Sequence, residues 1–468
     1  MRKLLPWVLG AALAIPVAVP AVAPVAVLAQ GGCPAASPTP APSAEPLLMP
    51  EVNRLALFDA VWGSIDAGYL DPAFNGKDWD AIGDAYAPLF LQVEDAWEIY
   101  DLTTEMVDEL GDDEVRFISP LVIENLPPAE RDYVGIGALV DTTAAEEGGE
   151  GPRILYLFPD SGAAAAGLAI RDRIVSVDGD PCVSIRKIRG PEGTIITLGV
   201  ESPGQPVREV AVERRRIDPT VSPISTTLGP SGSIGYLRMP SMEGQNTIDG
   251  VTAALEELET QDIEGLILDV RSVGLGGLGV TVGIIAHLLD GEAGTFFTRA
   301  ETSPLELPES ELLDTFKDIP IVVLVDEDSS GEPERLAWIL QSTGRATVVG
   351  QKTPGRTRVI QELPMGDGSI LQLVTVSLEL PDGTKLERQG ITPDVTVTDD
   401  WLDFPQAEDP YLLAALDLLG ATAGPSPSPM PTPSPSASAG PSPTIAPSPD
   451  ATDKPAATKK PRKRTPRP

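Results

Sequence analysis

The stretch that most constrains the fold is residues 321–350, which reads IVVLVDEDSSGEPERLAWILQSTGRATVVG. Its first five residues, Ile321 to Val325, are all apolar, which is typical of a short buried strand. From Glu334 to Gln341 the apolar residues recur at helical spacing, which predicts a helix. A polar turn joins the two, so the sequence predicts a strand-to-helix corner of the kind that can hold a nucleophile.

The corner and the loop after it resemble the carboxyl-terminal processing peptidases, also called tail-specific proteases. In that family the corner reads Val-Asn-x-Gly-Ser-Ala-Ser-Ala-Ser-Glu, with the middle Ser as nucleophile. Here the same frame runs from Val325 to Glu334, and Gly331 takes the place of the nucleophile. The family's general base is the second Lys of Lys-Thr-Phe-Gly-Lys-Gly, a motif that appears here as Lys352 to Thr357 with Arg356 at the base position.

These substitutions remove the groups that serine proteolysis needs. Glycine offers no side chain, and a guanidinium with a pKa above ~12 cannot act as a base near neutral pH. The Asp that such enzymes often carry in the helix falls on Ser342. The resemblance therefore implies an inactive homologue that binds polypeptide termini or other extended peptides.

Two alternatives to the inactive homologue stay open. One is an active serine endopeptidase that cleaves the C-terminal regions of exported proteins, using Ser330 or Ser329 with Lys352 as a relocated base. The other is a small-molecule carrier, because the same fold occurs in relatives that bind small molecules without proteolysis.

A glycine-rich loop lies ahead of the corner, from Val273 to Gly277. In active relatives this loop reads Arg-Gly-Asn-Pro-Gly-Gly, and its N–H groups help to form the oxyanion hole. The resemblance assigns that role to Gly274, Gly276 and Gly277, but the Asn-Pro is missing and the glycine spacing is shifted. We therefore expect no correctly aimed pair of donors, and an ordinary glycine-rich turn is the alternative.

Residues 129–215 resemble a PDZ domain, which captures a peptide C-terminus as an added strand beside a glycine-containing loop. The loop residues implied to bind peptide are Val134, Gly135, Ile136 and Gly137. A strand ending at Asp178-Gly179 follows a short predicted helix, Ala163 to Leu168. Little chain then remains before the family's Ile-Arg-Gly, so we expect the helix on the other side of the peptide groove to be truncated.

The fold class expected from these features is α+β and multidomain: an N-terminal helical region, a PDZ domain and an α/β peptidase-like (ClpP/crotonase-like) domain. Within the helical region, Asp112 to Ile118 stands where the family has Asp-Pro-His-Ser-x-Phe-Leu, and we interpret it as an ordinary helical packing layer. The expected boundaries are a signal peptide at 1–29, a Pro/Ala/Ser-rich linker at 30–50, the helical region at 51–128, the PDZ domain at 129–215, the protease-like domain at 216–420 and a disordered tail at 421–468.

The first 29 residues are typical of a secretory signal peptide, with a basic start, an apolar run and a small-residue cleavage pattern. We therefore expect an exported protein, extracellular or associated with the cell envelope. An uncleaved membrane anchor is the alternative, although three prolines in the run disfavour a spanning helix. Lipidation at Cys33 is weakly indicated, and a disulfide between Cys33 and Cys182 stays open.

Composition excludes several classes of function. The chain carries 69 acidic and 34 basic residues, a formal net charge of −35, so its body is not expected to bind nucleic acid. Two cysteines cannot build a metal site, and no cofactor is expected. The single histidine, His287, lies in an apolar run and is interpreted as a packed core residue rather than a triad member. The tail ends in KKPRKRTPRP, which is suited to anionic envelope polymers or lipid headgroups, and a tail without a partner is an equal alternative.

Overall fold

The computed structural model describes residues 48–120, 133–141, 151–218, 220–274, 276–381, 383–385 and 388–421. The predicted signal peptide, nearly all of the linker and the predicted tail lie outside the described residues, as does Cys33. Cys182 is disulfide-bonded. No helix in the described ranges is long and apolar enough to cross a membrane.

The N-terminal part consists of three helices and one strand. They are α1 (Glu51–Gly68), α2 (Trp79–Gln92), α3 (Ala96–Asp108) and β1 (Arg116–Ile118). Asp78 and Asp95 begin α2 and α3 as N-caps, accepting backbone N–H groups of the first turn. The buried faces of the three helices share one core that contains Ile65 and Phe90. The predicted helical character of the N-terminal region is confirmed.

The interpretation of residues 112–118 as a helical packing layer is wrong. This segment is a turn followed by β1, which pairs antiparallel with a long strand of the C-terminal part, Phe117 opposite Leu371. Val115 and Phe117 are buried while Arg116 between them is exposed. This alternation has the period of a strand.

The middle part is built from short antiparallel strands around its own core. Its elements are β2 (Tyr133–Gly135), β3 (Ala138–Val140), β4 (Ile154–Leu157), α4 (Gly162–Ala165), β5 (Arg173–Val177), α5 (Ile185–Ile188), β6 (Ile195–Glu201), β7 (Arg208–Glu213) and β8 (Arg215–Ile217). β2 pairs with β8, β3 pairs with β4, and β5, β6 and β7 form a three-stranded sheet. Helix α5 has only four residues, as the short stretch after Gly179 led us to expect.

The C-terminal part is an α/β layer with a second, antiparallel sheet. Its elements are β9 (Ile224–Leu228), β10 (Ile234–Arg238), α6 (Gly244–Glu259), β11 (Gly265–Asp269), α7 (Leu278–Ile285), β12 (Thr295–Thr298), β13 (Thr302–Pro304), α8 (Leu313–Phe316), β14 (Ile321–Val325), α9 (Glu332–Ser342), β15 (Ala346–Gly350), β16 (Val359–Pro364), β17 (Ile370–Glu379), β18 (Val395–Thr396) and α10 (Pro410–Leu418). The first sheet has the order β18-β15-β14-β11-β10-β9, and the second has the order β1-β17-β12-β13 with β16 against β17.

The parallel sheet brings the corner and the glycine-rich loop together. β14 pairs in parallel with β11 on one side and β15 on the other, and all five of its residues are buried. A strand covered on both faces needs a continuous apolar run, which Ile321 to Val325 supplies. Because the carboxyl ends of parallel strands meet at one edge, the segments that follow β11, β14 and β15 converge there.

A buried charge network joins the middle part to the C-terminal part. The Asp409 carboxylate, 0% exposed, accepts hydrogen bonds from Arg171 at 2.6 Å and from Arg271 at 3.0 and 3.1 Å. Arg271 also pairs with Asp269 at 2.6 Å. Burial lowers the pKa of Arg171 to about 10, whereas the carboxylates of Asp269 and Asp409 outweigh burial at Arg271 and raise its pKa. The Trp401 ring is sandwiched in this network, with the Arg271 guanidinium 4.3 Å from its centroid.

Candidate functional site

The corner between β14 and α9 keeps a special backbone conformation. Gly331 stands immediately before the helix with φ 76° and ψ −117°. A positive φ of this kind favours glycine because it has no Cβ. It is also the strained strand-to-helix turn that exposes a nucleophile in hydrolases. The corner therefore has the backbone of a turn that can expose a nucleophile, with a glycine where such a turn would carry the side chain.

A buried carboxylate, that of Glu334, ties the corner to the loop that carries Arg356. Glu334 is 0% exposed. One of its oxygens accepts the backbone N–H of Gly331 at 3.1 Å and that of Arg356 at 2.8 Å. The other accepts the Thr353 hydroxyl at 2.5 Å and the Gly355 N–H at 2.6 Å. One side chain thus fixes the nucleophile position and the base position relative to each other.

The corner opens into a cavity of about 430 Å³. Its walls come from the segment before β1, the glycine-rich loop, the corner and strands of the antiparallel sheet. The lining residues are Asp113, Glu114, Arg116, Gly276, Gly277, Leu278, Ser330, Gly331, Glu332, Arg335, Arg356, Arg358, Val359, Ile360 and Gln372. The structure therefore brings Gly331, Arg356, Ser330, Gly276 and Gly277 to one cavity.

The first turn of α9 contributes a second buried pair. Glu332 and Arg335 form an ion pair, and the other Glu332 oxygen accepts the Thr281 hydroxyl at 2.6 Å. Arg335, 1% exposed, also donates to the backbone carbonyl of Thr357. Its Nε has no hydrogen-bond partner within the described ranges. The cavity is therefore lined by charged groups at this turn, and one of their buried hydrogen-bond donors has no acceptor among the described residues.

The wall contributed by residues 112–116 is fastened by Arg358. Its guanidinium donates to both Asp112 carboxylate oxygens at 2.6 Å and to Glu114 at 2.5 Å. Burial opposes ionisation of Asp112, but the bonds from Arg358 and from the Tyr69 hydroxyl hold the pKa of its carboxyl below the usual range. Burial raises the pKa of Glu114 in spite of the same arginine. This salt bridge holds the N-terminal part against the cavity.

One N–H group of the predicted oxyanion loop is already engaged. The N–H of Gly277 donates to the Met242 carbonyl at 2.8 Å. Gly274 forms a bridge with Ser330, whose N–H donates to the Val273 carbonyl at 3.0 Å, so the loop packs directly against the corner.

The residues of the relocated dyad lie apart. Ser329 is 0% exposed, and its hydroxyl contacts the Val270 carbonyl at 3.0 Å and Asp326 at 2.9 Å, which is a structural role. Ser330 lines the cavity, but Lys352 is exposed and is not among the lining residues. Ser342 lies in the last turn of α9 and donates back to the Trp338 carbonyl at 2.8 Å.

The remaining sequence candidates lie elsewhere. None of Val134, Gly135, Ile136 and Gly137 lines the cavity. Val134 and Gly135 belong to β2, and the Ile136 carbonyl accepts the N–H of Ala163 at the start of α4. His287 is half-buried, with ring nitrogens 3.1 Å from the Thr252 hydroxyl and 2.5 Å from the Ser310 hydroxyl. Burial lowers its pKa.

Sequence reasoning missed the charged residues that build the cavity. Glu332 and Arg335 are spaced i, i+3, which is a recognisable helical ion pair, and Glu334 holds the capping-box position of α9. Both the i, i+3 spacing and the capping-box position can be recognised in the sequence alone. The Asp112–Arg358 contact spans 246 residues of sequence and had no local signal.

Asp328, in the turn before Gly331, faces several other carboxylates. Burial, followed by the charges of Asp326, Asp141 and Glu327, raises the pKa of its carboxyl from 3.8 to about 6. A raised folded-state pKa means that the protonated form favours folding. The stability contribution of Asp328 is therefore present below pH 4 and lost as the pH rises through about 6.

We expect Asp328→Asn to raise the melting temperature at pH 7.5 and to reduce the gain in stability between pH 7.5 and pH 5. The change should be modest, because the Asp328 side chain remains in contact with solvent and water screens its neighbours. Thermal unfolding at both pH values measures it. Asp314→Asn is the matched control, because Asp314 pairs with Lys317 at the surface and has a lowered pKa. If the melting temperature of the Asp328 variant depended on pH as strongly as that of the parent, the raised pKa of Asp328 would be contradicted.

Comparison with known proteins identifies relatives that match about three quarters of the chain. The model for peptidase family S41 matches residues 233–397, and the model for the Tricorn protease C1 domain matches residues 50–108. The carboxyl-terminal-processing protease of Synechocystis sp. is 30% identical over 377 residues, which cover 76% of this chain and 85% of that protein. The chloroplastic carboxyl-terminal-processing peptidase 3 of Arabidopsis thaliana is 28% identical, covering 74% of this chain and 69% of the relative.

Solved structures support the same fold. A crystal structure of a Bacteroides fragilis protein classed with the S41 proteases superposes with a TM-score of 0.55 at 16% identity, covering 78% of this chain and 98% of that one. At this level of identity the likeness shows the mixed α/β fold alone.

Proposed function

The chain belongs to the family of carboxyl-terminal-processing serine peptidases, and from this premise we propose that it is a catalytically inactive member that binds extended peptides in the cavity around Gly331. The observation that carries the proposal is the corner itself. A hydrolase turn is kept in its strained conformation, yet the residue there is glycine and the residue at the base position is an arginine. The cavity is therefore present, although the nucleophile and the base of a serine peptidase are absent from their family positions.

Catalysis of acyl transfer needs a nucleophile, a base that can take its proton, and donors for the oxyanion. Gly331 supplies no nucleophile, and the Arg356 guanidinium stays protonated at neutral pH. The Gly277 N–H already donates to Met242. The first two requirements are therefore unmet at the family's own positions, and one of the N–H groups assigned to the third is already engaged.

The binding role is supported by the buried hydrogen bonds and ion pairs that hold the walls of the cavity in place. Glu334 fixes the corner to the Arg356 loop through four hydrogen bonds, and Arg358 fixes the opposite wall. Buried charges of this kind are costly unless every partner is in place. A fold that had lost all use for the site could replace them with apolar side chains.

We further propose that residues 129–215 act as a PDZ domain and that the protein works after export, at the cell envelope or outside it. The antiparallel strands of the middle part and the glycine at Gly137, with φ 78°, suit a carboxylate-binding loop. The four-residue helix α5 offers little of the second wall of a peptide groove. Docking of peptide ends there would therefore be weak, and the cavity would carry most of the binding.

The purified protein should neither hydrolyse an unstructured peptide nor react with a fluorophosphonate probe, because the family's nucleophile position is Gly331. The same preparation should bind unstructured peptides, measured by fluorescence anisotropy. Labelling is read by in-gel fluorescence and hydrolysis by mass spectrometry.

The relocated dyad makes the opposite forecast and supplies the controls. If Ser330 were a nucleophile activated by Lys352, both Ser330→Ala and Lys352→Ala would abolish labelling of a reactive parent. Robust hydrolysis that is lost in either variant would overturn the inactive assignment. Absence of both hydrolysis and peptide binding would overturn the binding role.

A further inference from the structure

The cavity around Gly331 is rich in guanidinium groups although the chain as a whole carries a net charge of −35. Four of its lining residues are arginines, namely Arg116, Arg335, Arg356 and Arg358. Three are acidic, namely Asp113, Glu114 and Glu332. Four positive minus three negative groups leave one positive charge in a strongly acidic protein.

Two of these carboxylates already have cationic partners. Glu332 pairs with Arg335 and Glu114 pairs with Arg358. Asp113 is exposed at the rim, and its backbone carbonyl accepts the Arg116 Nε at 2.9 Å. The acidic groups deeper in the cavity are therefore neutralised before any ligand enters.

Arg356 and Arg116 are the two lining arginines that form no ion pair with any residue that the structure describes. The backbone N–H of Arg356 is fixed by Glu334, and the residue is exposed and lines the cavity. A planar guanidinium presents its donors in a fork that matches a carboxylate.

Arg335 supplies an independent sign that an acceptor is missing. This side chain is 1% exposed and lines the same cavity, yet its Nε has no partner in the part of the chain that is described. A buried donor without an acceptor is unfavourable, and a group of this kind calls for an explanation, such as a bound ligand, ion or water.

We propose that the cavity recognises a carboxylate of the bound peptide, with Arg356 as the residue that binds it and Arg335 offering its unpartnered Nε–H as a further donor. This inference rests on the proposed peptide-binding function and names the chemistry of its ligand. The carboxylate comes from either the C-terminus of the peptide or an Asp or Glu side chain. The former base position becomes an anion-binding position because a group that never loses its proton is a poor base and a permanent cation.

The test compares three versions of one short alanine-rich peptide, each carrying an uncharged dye at its N-terminus. The first has a free C-terminal carboxylate, the second ends in an amide, and the third ends in an amide but contains glutamates. Anisotropy titrations at physiological ionic strength reduce the influence of distant surface charges, since the Debye length there is about 8 Å. We expect the free acid to bind about tenfold to a hundredfold more tightly than the plain amide, the range for a charge-assisted hydrogen bond.

Variants locate the effect. Arg356→Gln should remove most of the preference for the free acid while leaving the melting temperature unchanged, because the Arg356 side chain is exposed. Arg356→Lys keeps the positive charge but lacks the forked donors of a guanidinium. It should therefore retain part of the preference for the free acid. Lys352→Gln is the matched control: it removes an equally exposed positive charge from the same loop, outside the cavity, and should leave the preference intact.

Each outcome separates the inference from the function on which it rests. Tight binding of the glutamate-containing amide supports carboxylate recognition and assigns it to a side chain, whereas tight binding of the free acid alone assigns it to the C-terminus. Equal affinity for all three peptides overturns carboxylate recognition and leaves peptide binding in place. A preference for the free acid that survives in Arg356→Gln also overturns carboxylate recognition by Arg356. Failure of every peptide to bind overturns the proposed function, and this inference with it.

Discussion

Asp409→Asn is expected to lower the free energy of unfolding by about 3–5 kcal/mol, the cost of removing one partner from a buried ion pair. The carboxylate of Asp409 is 0% exposed and receives both Arg171 and Arg271. Without it these two guanidinium groups face each other beside Trp401 with one negative charge fewer. Since domains are stable by only about 5–15 kcal/mol, such a loss is a large fraction of the total. Urea unfolding followed by tryptophan fluorescence measures it.

The choice of asparagine separates charge from helix capping. Asp409 also accepts the N–H groups of Tyr411 and Leu412 at the start of α10, and asparagine preserves that role. Asp409→Ala should therefore cost about 1 kcal/mol more than Asp409→Asn. Asp314→Asn, which breaks a surface pair with Lys317, is the control and should leave the unfolding midpoint unchanged. A midpoint for Asp409→Asn equal to that of the parent would show that the network does not hold the middle part to the C-terminal part.

The sequence predicted the scaffold of the site because the scaffold is encoded locally. A short uninterrupted apolar run is typical of a strand buried on both faces, and Ile321 to Val325 forms β14. Helical spacing from Leu336 onward, together with the polar turn before it, located the corner, where Gly331 has a φ of 76°. The loop with Arg356 then follows β15 at the same edge of the sheet.

The interior of the site was not predictable in the same way because its contacts join distant parts of the chain. Arg358 meets Asp112 across 246 residues, and Arg171 meets Asp409 across 238. No periodicity within a window of sequence encodes such pairs. The segment from Asp112 to Ile118 was misread as helical for a related reason: its strand conformation depends on pairing with β17, which lies far along the chain.

A consequence of the long-range contacts is that the walls of the cavity come from the N-terminal and C-terminal parts of the protein together. Arg358 fixes the N-terminal part, Glu334 fixes the corner, and the network around Asp409 fixes the middle part. In the proposed function, glycine at 331 and arginine at 356 replace the catalytic residues and leave these supports intact. These contacts can hold the cavity in shape without a nucleophile, as the proposed binding role requires.

Restoring the two family residues, by Gly331→Ser together with Arg356→Lys, is expected to give feeble hydrolysis at most. The variant regains a hydroxyl at the corner and an amine that can lose its proton, but the Gly277 N–H still donates to Met242. Removing one oxyanion donor typically costs ~10²–10³ in turnover, so activity should fall short of an intact relative by at least that factor. Serine at a φ of 76° also introduces backbone strain of about 1–3 kcal/mol, which should appear as a lower melting temperature.

Two readouts separate these effects. Fluorophosphonate labelling reports on the new nucleophile and base, and peptide turnover reports on oxyanion support as well. We expect detectable labelling with turnover near the detection limit, and neither signal in the single variants Gly331→Ser and Arg356→Lys, because each lacks one half of the dyad. Turnover by the double variant at the rate of an active relative would show that the loop from Val273 to Gly277 can still supply its donors. The inactivity of the natural chain would then be due to Gly331 and Arg356 alone.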